Sequence, residues 1–197
     1  MRSSYIEKGA FERLLSSMPI KTALAVRVCL ETGIRVGDCV ALRQCNIVGQ
    51  TLTYKAQKTG KKDKKTLTRA LVRDLREYGG TDLIFESKRS KSGHISRQTV
   101  YKGVKRAARL AGETANVTPH SARKIYAVEM RKAVGMKETQ RLLQHSNAET
   151  TALYAFSDVA LGGAISAAEF DRIIDEIATR TARKVIKALF GKKRKTP

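Results

Sequence analysis

PIKTALAVRVCLETGIRVGD, residues 19–38, carries the reading that decides the fold. From Pro19 to Thr32 it is rich in Ala, Leu and Val, and it stops at Gly33. Proline is tolerated in a helix's first turn, and glycine favours the left-handed residue that closes one. The stretch therefore reads as a buried helix ending at a sharp corner. That corner can aim Arg35 inward, with Asp38 placed to hold its planar guanidinium. Taken alone, the two residues read as a structural Arg–Asp pair.

Working outward, short runs of β-formers at Thr51–Ala56 and Lys65–Thr68 flank the turn Thr59-Gly60-Lys61-Lys62-Asp63, which predicts a hairpin. Leu83-Ile84-Phe85 suggests a further short strand. Ser96 is a candidate cap for a helix reaching Leu110 and closed by Gly112. More helices are expected at about 120–133, 136–144 and 147–156. The fold class is thus mainly α with a small antiparallel β-sheet, with a first domain over 1–163.

Residues 164–197 form a distinct appendage. Ser166-Ala167-Ala168-Glu169 has a capping-box pattern. Phe170, Ile173, Ile174, Ile177, Thr181, Val185 and Leu189 then recur at helical spacing. Acidic residues come early and basic ones late, which complements the helix dipole. An amphipathic helix at a chain end must bury its apolar face, on its own domain or on a neighbouring protomer. The tail Lys192-Lys193-Arg194-Lys195 reads as a mobile basic end that touches phosphates.

The 197 residues carry 39 Lys+Arg against 18 Asp+Glu, a formal charge of +21, with 42% hydrophobic residues. That composition supports a folded globule whose partner is a polyanion, nucleic acid before membrane. No apolar run approaches the roughly 20 residues of a membrane span, and the N-terminus lacks an apolar signal core. Cys29, Cys39 and Cys45 read as reduced thiols of a cytoplasmic protein. They form no Cys-x-x-Cys and lie far in sequence from His94, His120 and His145, so no metal site is expected.

Six residues could together act on a phosphodiester. Arg35 follows the glycine corner. Lys58 lies on a hairpin where Lys55, Lys58, Lys61, Lys62, Lys64 and Lys65 fall within eleven residues beside one aspartate. Which of these lysines would give up a proton is left open by local chemistry. His120 and Arg123 sit three apart at a helix start, on one face and near the positive end of the dipole. His145 is expected to end one helix, and Tyr154 to lie on the next. Cations can stabilise charge on non-bridging oxygens, and a phenol can supply a nucleophile. Each residue alone has a plainer structural reading, Tyr154 above all as a core tyrosine.

In order, Thr-Gly-x-Arg, Lys-Thr-Gly, His-x-x-Arg and Leu-x-His-x8-Tyr resemble the catalytic domain of the tyrosine recombinase (phage integrase) family, over roughly residues 5–160. The resemblance implies site-specific cleavage and rejoining of double-stranded DNA, with no cofactor. It implies that Arg35, Arg123 and His145 bind the non-bridging oxygens and that His120 assists proton transfer at the tyrosine. Lys58 would protonate the 5′ leaving oxygen, and Tyr154 would form a 3′-phosphotyrosyl link. Further phosphate contacts are expected from Lys55, Lys61, Lys62, Lys64, Lys65, Arg97 and Lys124. Tetramers assembled through the C-terminal helix, and a prokaryotic, viral or mobile-element origin, are also implied.

The sequence departs from the family pattern at Gln144, where glycine is usual, and at Lys124 and Phe156, where histidine is common. The family also usually carries a separate N-terminal DNA clamp, whereas the catalytic pattern here begins almost at once. Two alternatives share the basic composition. A type IB topoisomerase would relax DNA lacking any specific site; a non-catalytic DNA-binding regulator would form no covalent adduct.

Overall fold

The computed structural model describes residues 3–143, together with Asp175 and Thr179 as isolated helical positions. The expectations for His145, Tyr154, the 147–156 helix and the C-terminal helix fall outside them. The chain divides into two compact units, 1–130 and 131–197. The described elements are α1 (Lys8–Leu15), α2 (Ile20–Thr32), α3 (Val36–Val40), β1 (Ile47–Val48), β2 (Thr51–Lys55), β3 (Lys62–Thr66), α4 (Arg69–Tyr78), α5 (Arg97–Leu110) and α6 (Pro119–Leu142).

In the first unit α2 is the central helix, packed against α3, α4 and α5. Its apolar residues run round most of its circumference, and Leu24, Ala25, Val26, Val28 and Cys29 are all buried. Gly33 closes it with φ 67°, its N–H donating to Cys29 O at 2.9 Å. Close approach of α5 depends on Gly103, because a Cβ there would lie 2.7 Å from Thr22 Cγ2. On the other side Arg27 meets Asp74 of α4 at 2.6 Å. The Glu31 carboxylate takes the Thr68 N–H and hydroxyl at 3.0 and 3.1 Å, and the same hydroxyl caps α4 by accepting from Leu71 N.

The amphipathic α4 was not anticipated, although Leu71 and Leu75, four apart, are its buried face. Helix α5 starts as its cap predicts: Ser96 Oγ accepts from Thr99 N at 3.0 Å. The hairpin forms with Tyr54 opposite Asp63 and Thr51 opposite Thr66, and β1 pairs on the far edge of β2 in a three-stranded antiparallel sheet. Leu83–Phe85 makes no strand; the segment has only isolated bridges, Arg43 to Leu83 and Glu86 to His94. Ile84 and Phe85 serve instead as fully buried core residues. Cys29 and Cys39 are buried free thiols and Cys45 is exposed.

The two helices expected at about 120–133 and 136–144 are both present: the α6 span is two helices that meet at Gly135, whose φ 79° and ψ 174° are non-helical. Apart from Leu143, Asp175 and Thr179, the described part of the second unit is the end of this span. There the Thr139 hydroxyl donates to Gly135 O at 2.8 Å, and Arg141 pairs with Glu138. Among the described residues no helix is long and apolar enough to cross a membrane.

Candidate active site

Three chain segments, with Arg97 of α5 beside them, bring candidate residues to one cavity of about 470 Å3. Its lining includes Arg35, Asp38, Gln57, Lys58, Arg97, His120 and Arg123. Four of the six residues singled out from the sequence are therefore adjacent in space. His145 and Tyr154 lie outside the described residues.

The first segment is the Gly33–Asp38 corner. Arg35 sits at the cap position of α3 in extended conformation and is half-buried. The expected Arg35–Asp38 pair does not form. Asp38 Oδ1 accepts instead from the Gln57 backbone N–H at 2.9 Å, and Gln57 Nε2 donates to Gly37 O at 3.3 Å. The carboxylate thus ties the corner to the end of β2, next to Lys58. Among the described residues its Oδ2 is buried with no hydrogen-bond partner, and Arg35 makes no hydrogen bond or ion pair.

The second segment is the hairpin. Lys58 is exposed in the turn and lines the cavity. Lys55, Lys61, Lys62 and Lys64 also face solvent. Lys65 does not: its side chain is 5% exposed and its ammonium lies 3.1 Å from Asp63. The alternation of β3 turns it inward, so it is a structural cation and not part of the outward phosphate grip. Tyr54 Oη donates to the same carboxylate at 3.3 Å. Burial, followed by the Asp63 charge, holds the Tyr54 and Tyr126 phenols above their ordinary pKa, so neither is an activated nucleophile.

The third segment is the first turn of α6. His120 and Arg123 share a face, as their spacing requires. Arg123 is 4% exposed, and its Nη1 donates to Gly33 O, joining this helix to the glycine corner. His120 opens on the cavity, yet its pKa is pushed down to about 4. Although the residue is exposed at the cavity, lost solvation is the first cause, followed by Arg123, Lys124 and Arg35. It is a neutral imidazole at pH 7 and can accept a proton. Lys124, expected on DNA, donates to Ser3 O at 2.6 Å.

Gln57 was missed by sequence reasoning, and Arg97 was expected on DNA without being placed beside the four. Gln57 adjoins Lys58 in sequence, which is the one signal that pointed to it. Together the cavity offers three guanidinium groups and an ammonium, with a helix N-terminus at Pro119, and so suits an oxyanion such as phosphate. Among the described residues no cluster of three or more His, Cys, Asp or Glu could hold a metal ion.

A model of the phage integrase family matches residues 6–160. The chain belongs to the phage integrase family. Within that family it is similar to tyrosine recombinase XerA of Pyrococcus furiosus, 29% identical over 155 residues, covering 73% of this chain and 54% of the relative. Its fold is similar to the lambda integrase catalytic core, with TM-score 0.60 and 26% identity over 73% of this chain and 92% of that one. It is also similar to a lambda integrase dimer bound to a COC' core site. There the TM-score is 0.66 at 24% identity, covering 78% of this chain and 48% of that one. The chain spans about half the length of the curated relatives it matches.

Proposed function

We propose that this chain is the catalytic part of a site-specific DNA recombinase. The observation that carries the reading is the convergence of Arg35, Lys58, His120 and Arg123 on one cavity. Arg35 and Arg123 hold the non-bridging oxygens of the scissile phosphate, and His145 joins them. The Tyr154 hydroxyl attacks phosphorus and passes its proton to neutral His120. The bond to the 5′ oxygen breaks, and Lys58 protonates that oxygen. A 3′-phosphotyrosyl link remains; it conserves the energy of the phosphodiester, so the reverse attack by a 5′ hydroxyl rejoins the strand. Each preorganised donor is typically worth about 3 kcal/mol in such a transition state.

The partner is double-stranded DNA, gripped by Lys55, Lys61, Lys62, Lys64 and Arg97. Several phosphate contacts of this kind make affinity fall steeply with salt. The lambda integrase structures are a dimer on a core site and a tetramer on a Holliday junction. By likeness to them, this chain assembles on DNA, with the 164–197 segment as the contact between protomers. Truncation after Gly163 should then impair strand exchange more than DNA binding.

The deciding experiment is a nicked suicide duplex carrying the chain's own site. Wild type should leave a covalent protein–DNA band, and Tyr154→Phe should abolish it while binding persists. A band that survives the substitution overturns the nucleophile assignment.

A further inference from the structure

We propose that Ser121 and Lys124 are positioning residues that clamp the Ser3–Tyr5 segment onto the first turn of α6, and that this strap fixes His120 and Arg123 in the cavity. The inference rests on the strand-cleavage reading above.

Ser121 and Lys124 are three residues apart and share one face of the turn. His120 and Arg123 form the neighbouring face, rotated by one residue. The first face is bound to the N-terminal segment. Ser121 Oγ donates to Ser4 O at 2.6 Å, and Lys124 Nζ donates to Ser3 O at 2.6 Å. The Ser4 N–H donates to Asn116 O at 2.9 Å, and Ser4 Oγ accepts from Asn116 N at 3.2 Å. Ser121 Oγ also accepts from Thr118 N at 3.1 Å, and Thr118 Oγ1 accepts from His120 N at 3.2 Å. The strap therefore reaches the His120 backbone through two hydroxyls. Beyond it the chain is anchored by Ile6, which is buried in the core.

The strap also forms part of the cavity's surroundings. Ser3 lines a second cavity of about 560 Å3, which shares Val36, Arg97, Pro119 and His120 with the first. Releasing Ser3 would remove that wall and free the turn to rotate. A small misplacement of positioned catalytic groups can cost about 100-fold in rate.

Lys124 has a second consequence. Its ammonium is one of the cations that keep His120 neutral. The other charged groups facing His120 or lining its cavity are Arg123 on α6, Arg35 at the corner, Asp38 on α3, Lys58 on the hairpin and Arg97 on α5. Clamp and charge can be separated, because glutamine at 124 retains a donor for Ser3 O without the charge.

The test uses the whole chain and the variants Ser121→Ala, Lys124→Met and Lys124→Gln. Hydrogen exchange at the Ser4 amide reads the strap. An NMR titration of His120 reads the charge, and adduct formation at saturating duplex reads the chemistry. Ser121→Ala and Lys124→Met should each speed Ser4 exchange and slow adduct formation about 10-fold, with DNA affinity held within about twofold. Lys124→Gln should keep Ser4 protected while the His120 titration moves upward from about 4. Unchanged exchange and adduct rates in Lys124→Met and Ser121→Ala would overturn the proposal. So would weaker DNA binding with a salt slope reduced by about one, which would make Lys124 a phosphate contact. Should wild type form no adduct, the cleavage reading falls, and exchange and titration alone decide the strap.

Discussion

Two arginines reach the same cavity and are held in opposite ways. Arg123 is buried and donates to Gly33 O, so it ties α6 to the corner after α2. Arg35 is half-buried and, among the described residues, has no hydrogen bond or ion pair, while Asp38 takes the Gln57 N–H. One guanidinium is built into the frame that shapes the cavity. The other keeps its donors for whatever enters. The difference teaches that charge and scaffold are distinct duties, and that the same side chain can carry either or both.

The largest effect should come from breaking that contrast directly. Arg123→Ala removes a buried charge-bearing donor and leaves Gly33 O without it, so stability should fall by about 3 kcal/mol. Arg35→Ala should leave the unfolding midpoint within experimental error. Both should slow covalent adduct formation by roughly 100- to 1,000-fold. Thermal denaturation beside suicide-duplex kinetics reads both quantities. Equal loss of stability in the two variants would erase the distinction.

Much of this arrangement was legible in the sequence, for identifiable reasons. Gly33 and Ser96 announce helix ends because only a few residue types suit those positions, and both do what their types require. The i,i+3 spacing of His120 and Arg123 forces a shared face wherever the helix lies. The Arg35–Asp38 pair does not form; Asp38 Oδ1 takes the N–H of Gln57, 19 residues away, a contact no local pattern carries. The Lys124 bond to Ser3, 121 residues distant, was illegible for the same reason. Leu83–Phe85 was misread because a short apolar run suits a buried loop as well as a strand.

The hairpin offers the next contrast, between two lysines of one charge run. Lys58 faces the cavity, while Lys65 is buried against Asp63. Lys58→Met should slow adduct formation by about 100-fold, as loss of a general acid does, without shifting the melting midpoint. A duplex with sulfur in place of the 5′ bridging oxygen leaves without protonation and should restore its rate. Lys65→Met should instead destabilise the chain by about 2 kcal/mol, since it removes the buried cation beside Asp63. The thio-substituted duplex should give it no rescue. Rescue of Lys65→Met alone would transfer the acid role to Lys65.

The last contrast is a pH dependence that ranks the same two arginines. His120 titrates near 4 in the folded chain and near about 6.5 when unfolded. Between those values the unfolded chain binds a proton that the folded chain does not, so stability should decline as pH falls from about 6.5 to 4. His120→Asn should flatten that decline in denaturant titrations run at neutral and acidic pH. Lost solvation is the first cause of the shift, and Arg123 contributes more than Arg35. Arg123→Ala should therefore raise the His120 titration point further than Arg35→Ala, as followed by NMR. The reverse order would mean that Arg35, and not the frame arginine, governs whether His120 can take the phenol proton.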